Sequence, residues 1–297
     1  MKNHVEDEGI KISQQKNHLH NQMFNLSENI QIMGIMNMTP DSFYRKSQNK
    51  YTNKQSISSQ LEKISNSDII DVGAESSRPG ATPVSSDEEI LRLHKIIPLL
   101  TQYDKIEFSI DTYKPKTASF ALENGFSIIN DISGGKSMQL LDIVAENNAK
   151  LILMHMQGTP INMQKNPSYT DVIEDIIIFF EKQSKRAINS GISQNKIILD
   201  PGIGFGKTTE NNDKIITNLS KLKSLGFQVL IGVSRKSFLQ QNNDSPIDRL
   251  PATIAANTIS ILNGADIIRV HDVDEHIKIR SILSRMNKQF LGKVYGY

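Results

Sequence analysis

Two carboxylates, an amide and a group of cations carry the chemistry open to this 297-residue chain. Asp111 and Asp200 each stand where a short apolar run stops, Asn130 ends another, and Lys236, Arg269 and His271 follow two more. A carboxylate accepts paired N–H bonds from the edge of a guanidine-like heterocycle, and an Asn side chain can complete recognition of a lactam. Arginine and histidine beside an asparagine suit a phosphate or pyrophosphate group. These residue types describe a site with an N–H-rich planar ligand on one side and an anion on the other. Spacing adds to this: in Arg269-Val270-His271 and Ser234-Arg235-Lys236 the outer residues are i and i+2, which project to one face of a strand.

Such residues need elements that bring them together. Strands are expected at residues 30–36, 68–72, 106–110, 127–129, 150–154, 196–199, 228–233 and 266–270, each apolar almost throughout, as a strand buried on both faces requires. Helix-like stretches lie between them. One opens with the capping-box pattern Ser85-Ser86-Asp87-Glu88; others span 171–190 and 209–225 and stop at Gly191 and Gly226. Eight strands, each followed by a helix at a spacing of about 30 residues, match a (β/α)8 TIM barrel. An open doubly wound sheet shares this periodicity, and the count of eight favours the barrel. The polar residues ending the runs are Asn37, Asp71, Asp111, Asn130, His155, Asp200, Ser234 with Lys236, and Arg269 with His271. Strands end in polar residues wherever backbone re-enters water, but so full a set at the C-terminal ends is where a barrel builds its active site.

Three loops stand out. Residues 37–43 and 73–80 are rich in turn residues, hydroxyls and backbone donors, as loops that close over an anion are, yet they also carry Phe43 and Arg78. The third, Asp200-Pro201-Gly202-Ile203-Gly204-Phe205-Gly206-Lys207, imitates a phosphate loop. It fails the test, because the first glycine of that motif would fall on Pro201.

Composition removes other classes. With 34 basic and 32 acidic residues the net charge is +2, and there is no tryptophan, so no nucleic-acid partner is expected. No apolar run is long enough to span a bilayer, so no membrane partner is expected either. The absence of cysteine excludes disulfides, thiolate metal sites and a cysteine nucleophile. Residues 1–29 form a polar segment without the apolar core of a secretory signal, expected as a tail or a cap under the barrel floor. Residues 30–290 are expected to form the barrel, in the cytoplasm.

On the segments 34–43, 71–80, 109–112, 130–131, 153–158, 200–207, 234–237 and 269–272, in this order, the chain resembles the dihydropteroate synthase family, the pterin-binding barrels of folate biosynthesis. The resemblance implies that p-aminobenzoate displaces pyrophosphate from 6-hydroxymethyl-7,8-dihydropterin pyrophosphate by an SN1-like step, with Mg2+ as cofactor. It implies Asp111, Asn130, Met154, Asp200, Phe205 and Lys236 as pterin-binding residues. Asn37, Arg78, Arg269 and His271 would hold pyrophosphate, with Asn37 also helping to place the metal. Ser77, Arg78, Pro79, Lys236 and Ser237 would shape the p-aminobenzoate site. The catalytic group would be Asp111, Lys236, Arg269 and His271. Sulfonamide recognition and a homodimer also follow from the resemblance.

The chain departs from the family pattern at Tyr44-Arg45-Lys46-Ser47, at Ala74 and Ser77, and near Gln240. A methyltetrahydrofolate-binding methyltransferase domain and a catalytically silent pterin-binding module remain as other readings. The first handles no pyrophosphate, which speaks against it given Arg78, Arg269 and His271.

Overall fold

A computed structural model describes residues 30–38, 54–76 and 81–295. Eight parallel strands close in sequence order: β1 (Gln31–Asn37), β2 (Ile69–Gly73), β3 (Glu107–Asp111), β4 (Ile128–Asp131), β5 (Lys150–Met154), β6 (Ile197–Asp200), β7 (Gln228–Ile231) and β8 (Ile267–Val270). Pairing of β8 back onto β1, with Gln31 level with Ile267 and Gly34 level with Val270, closes the barrel and excludes the open sheet. Each expected strand is present to within two residues at either end. Several run one residue further than expected, through Asn37, Asp111 or Asp200, because backbone pairing continues past the last apolar side chain.

Ten helices are described: α1 (Lys54–Ile64), α2 (Ser86–Leu93), α3 (Ile97–Leu100), α4 (Pro115–Glu123), α5 (Met138–Glu146), α6 (Val172–Asn189), α7 (Thr209–Thr217), α8 (Leu219–Lys223), α9 (Leu250–Leu262) and α10 (Val273–Tyr295). The Ser85 hydroxyl caps α2 by accepting the Glu88 N–H at 3.2 Å, and Asp171 caps α6 through the Ile173 and Glu174 N–H groups. The single helix expected over 209–225 is two, α7 and α8, divided at Asn218, whose φ of −120° leaves the helical range.

Side chains alternate across a strand, so one parity of every strand faces the barrel interior. Met33, Ile69, Ile128, Ile152, Ile198, Leu230 and Ile267 form an apolar layer there, interrupted at β3 by Ser109, which is level with Ile128, and separate from the larger core between strands and helices. Burying each such side chain contributes about 1.5–3 kcal/mol. Two residues further along the same seven strands stand Ile35, Asp71, Asn130, Met154, Asp200, Gly232 and Arg269. On β3, Asp111 lies level with Asn130. The apolar layer is therefore the floor of a polar layer at the C-terminal mouth, and that floor desolvates every charge resting on it.

Candidate active site

Asp71 organises the mouth. Its carboxylate is fully buried and accepts from Ser109 Oγ at 2.6 Å, Asn130 Nδ2 at 3.1 Å and Arg269 Nε at 2.7 Å. Arg269 then reaches Asp111 Oδ2 at 3.5 Å. Burial pushes the Asp111 carboxyl up to about 7; the Asp71 charge adds to this and Arg269 opposes it. Burial also pulls the Arg269 guanidinium down, but Asp71 and Asp111 more than offset that and hold it above its ordinary value. The amide of Asn130 is 4% exposed with its Nδ2 committed to Asp71, while its Oδ1 has no hydrogen-bond partner among the described residues. A buried acceptor left open is costly, so it marks where an N–H donor belongs.

Asn37 joins this group from β1. Gly73 leaves the space: a Cβ there would lie 3.4 Å from Asn37 Oδ1 and 4.0 Å from Asp111 Oδ2.

Across the mouth, Asp200 and Lys236 form the second charged group. Asp200 accepts the Gly202 N–H at 2.8 Å; burial raises its carboxyl, opposed chiefly by the Lys236 charge. Burial lowers the Lys236 ammonium to about 8, with Asp200 raising it and Arg269 lowering it further. Lys236 donates to the Ile203 carbonyl, and its Nζ lies 4.7 Å from the centre of the Phe205 ring. Met154 pairs with Asp200 in the β5–β6 register and is buried beside Gly202. Gly232 keeps the floor between Lys236 and Arg269 open, since a Cβ there would lie 4.0 Å from Lys236 Nζ and 3.8 Å from Arg269 Cβ.

Three features have roles that sequence reasoning did not assign. Lys207, resembling the lysine of a phosphate loop, is buried and donates to His155 Nδ1 at 3.0 Å, the His155 carbonyl at 3.2 Å and the Phe205 carbonyl at 3.0 Å. While Lys207 is protonated it can only donate, which places the His155 proton on Nε2; burial and the Lys207 charge lower this imidazole to about 3. Lys114 links Glu75 at 2.6 Å and Glu89 at 3.0 Å, and Glu75 also accepts the Val84 N–H at 2.8 Å. These three are separated by 14 and 25 residues, with no periodicity to betray them. Asp71 had a signal of its own, a charge embedded in the apolar run Ile69-Ile70-Asp71-Val72.

The mouth thus gathers Asn37, Asp111, Asn130, Met154, Asp200, Phe205, Lys236 and Arg269. His271 adjoins it from β8, with its Nδ1 3.0 Å from Ser234 Oγ. Ser237 opens an exposed turn directly after Lys236. Ser77, Arg78 and Pro79 lie outside the described residues, as do residues 1–29 and Tyr44-Arg45-Lys46-Ser47. Among the described residues no group of three or more Asp, Glu or His side chains could hold a metal ion, and no helix is long and apolar enough to cross a membrane. Asn37 offers an amide oxygen, a single hard donor, beside the Asp111 carboxylate. Such a donor would fit a Mg2+ ion that keeps most of its waters, not an all-protein cage.

Comparison with known proteins agrees with this geometry. The profile of pterin binding enzymes matches residues 33–271. The dihydropteroate synthase of Escherichia coli (strain K12) is 37% identical over 253 residues, covering 85% of this chain and 90% of that protein. A solved dihydropteroate synthase of Yersinia pestis, in a sulfonamide drug complex, superposes with a TM-score of 0.81 at 35% identity, covering 88% of this chain and 95% of the other. The Xanthomonas albilineans enzyme, solved with 4-aminobenzoic acid, gives 0.81 at 31% identity over 88% and 94%. The chain belongs to the pterin-binding enzymes, in their dihydropteroate synthase family.

Proposed function

We propose that the chain condenses 6-hydroxymethyl-7,8-dihydropterin pyrophosphate with p-aminobenzoate, giving 7,8-dihydropteroate and pyrophosphate. The enzyme is a transferase. The observation that carries the full reaction is the similarity to named dihydropteroate synthases along nine-tenths of their length. The mouth supplies the parts. Asp200 and the open Oδ1 of Asn130 accept the N–H edge of the pterin, Lys236 donates to it, and Met154 and Phe205 pack on its ring. Arg269, His271 and Asn37 hold the pyrophosphate, with Arg78 in the second loop. Ser77, Arg78, Pro79, Lys236 and Ser237 receive p-aminobenzoate, the compound with which the Xanthomonas albilineans relative was solved.

The displacement runs SN1-like. The carbon–oxygen bond to pyrophosphate breaks with its electron pair leaving on oxygen, the aniline nitrogen then bonds to carbon, and its proton passes to water. Preorganised cations meet the charge that grows on the leaving group. Mg2+ bound with Asn37 and the diphosphate would add Lewis-acid stabilisation of the same charge. The Asp111 carboxylate faces the developing methylene cation.

The test is a pyrophosphate-release assay with dihydropterin pyrophosphate, Mg2+ and p-aminobenzoate. Release coupled to dihydropteroate formation is expected. Binding of the pterin substrate without release on adding p-aminobenzoate would replace this reading with a silent pterin-binding module. The SN1-like course predicts scrambling of oxygen-18 from the bridging to the non-bridging position of recovered substrate before p-aminobenzoate is added; retention of the label there would sink that course.

A further inference from the structure

Beyond the end of β7 the chain does something that strands do not require. The β7–β8 register places Leu230 opposite Ile267 and Ile231 opposite Ile268, an offset that would put Ser234 opposite His271 and Arg235 opposite Asp272. Neither pair lies in a strand, yet both are joined by side chains. Ser234 Oγ accepts the His271 N–H at 3.2 Å and lies 3.0 Å from His271 Nδ1. Arg235 Nε donates to Asp272 Oδ2 at 3.0 Å, and a second guanidinium N–H donates to Asp272 Oδ1. This two-point fork is a geometry that only arginine provides.

The backbone of Arg235 sits at φ +59°, in the left-handed region that a side-chain-bearing residue rarely occupies. Both of its backbone polar groups are held there. The Arg235 N–H donates to Thr253 Oγ1 at 3.1 Å, and the Arg249 guanidinium donates to the Arg235 carbonyl at 3.0 Å. The next residue is Lys236, on the pterin side of the mouth. The residue before Asp272 is His271, on the pyrophosphate side.

Resting on the proposed reading of those two sides, we infer that Arg235 and Asp272 are a positioning pair. They carry the register of β7 and β8 beyond the strands and so fix the separation between Lys236 and His271. The pair touches neither substrate. It acts by holding the pterin-side cation and the anion-side imidazole at one spacing, so that ring and leaving group are gripped together.

The experiment uses the full chain with Asp272→Asn, Arg235→Lys and Arg235→Gly, and the double variant Arg235→Gly with Asp272→Asn. Glycine accepts the left-handed backbone but drops the fork, which separates backbone fit from the ion pair. Asp272→Asn and Arg235→Gly are each expected to lower kcat/KM by about tenfold or more, chiefly through kcat, as small misplacements of catalytic groups do. Arg235→Lys should fall between these and the parent. The double variant should be no worse than the poorer single one, since both remove the same contact.

A second readout needs no turnover. The His271 ring resonance, assigned with a His271→Gln variant, should move in Asp272→Asn and in Arg235→Gly without any ligand. Parent-like kcat/KM in Arg235→Gly, additive losses, or an unmoved His271 resonance would each overturn the pair. If the parent chain itself shows no turnover, the reading of the function falls, while the His271 resonance still decides whether the pair positions that ring.

Discussion

Asp111 and Lys236 face each other across one desolvated mouth with protonation midpoints displaced toward neutrality from opposite sides, about 7 and about 8. The proposed chemistry uses Asp111 as a carboxylate and Lys236 as an ammonium. In the free enzyme kcat/KM should therefore fall below about pH 7, as Asp111 takes up a proton, and above about pH 8, as Lys236 loses one. A narrow bell measured with dihydropterin pyrophosphate is the expected profile. Asp111→Asn should abolish the acid limb, and a limb that survives would assign it elsewhere. Lys236→Ala should lower kcat/KM by roughly 10–100-fold, the equivalent of a charged hydrogen bond of about 1.5–3 kcal/mol. The residues that take part were legible as polar endings of apolar runs, because inward parity and strand end coincide at Asp111, Asn130, Asp200 and Arg269. Lys114, Glu75 and Glu89 were not legible. They meet only because β2, β3 and α2 are neighbours in space, which no local pattern encodes.

The loop after β6 shows how an element can be found in a sequence while its use stays hidden. Its glycines sit at the alternate positions 202, 204 and 206, all with positive φ, and Pro201 in place of the motif's first glycine already excluded a phosphate loop. Their use is close approach to the loop after β5. At Gly202, φ is +68° and a Cβ would lie 2.0 Å from the His155 carbonyl oxygen; at Gly206 it would lie 2.6 Å from the Gln157 carbonyl oxygen. Both obstacles are backbone, so neither can move aside as a side chain could. The loop pressed down in this way carries Phe205 and the Ile203 carbonyl that receives Lys236. Gly202→Ala should lower the melting temperature, with a local cost of roughly 1–3 kcal/mol from the left-handed backbone and more from the clash. Calorimetry should show pterin binding weakened as well. A variant with unchanged melting and binding would mean that the loop does not rest on His155. The break at Asn218 between α7 and α8 belongs to this scale too: the hydrophobic period continues across it, so periodicity alone reads one helix.

Over the whole molecule, a barrel with an apolar floor and ionisable groups on top has a stability whose pH dependence follows from which groups the floor desolvates. Closure itself was legible only as a count of eight units; the pairing of β1 with β8 joins residues more than 230 apart and needs the complete chain. Closure is also what dries the mouth. Lys207 shows the consequence. Burial lowers it to about 7 in the fold, although Asp200 raises it, whereas the unfolded chain has it near 10.5. Lys236 behaves alike from about 8. Between about pH 8 and 9.5 the unfolded chain therefore holds up to two more protons at these lysines than the folded chain, so stability rises with pH across that window. Asp111 acts in the opposite direction and at lower pH: its raised carboxyl keeps a proton that the unfolded chain has already lost, so its contribution fades as pH climbs through about 7. The Lys207→Met substitution keeps the length of the side chain but removes the titration. It should be less stable, because three acceptors around Lys207 lose their donor, and its stability should climb about half as steeply between pH 8 and 9.5. Urea unfolding of both chains at several pH values in the absence of ligand measures this. Equal slopes would show that Lys207 keeps its proton in the fold, with the three acceptors at 3.0, 3.2 and 3.0 Å outweighing the desolvation imposed by the closed barrel.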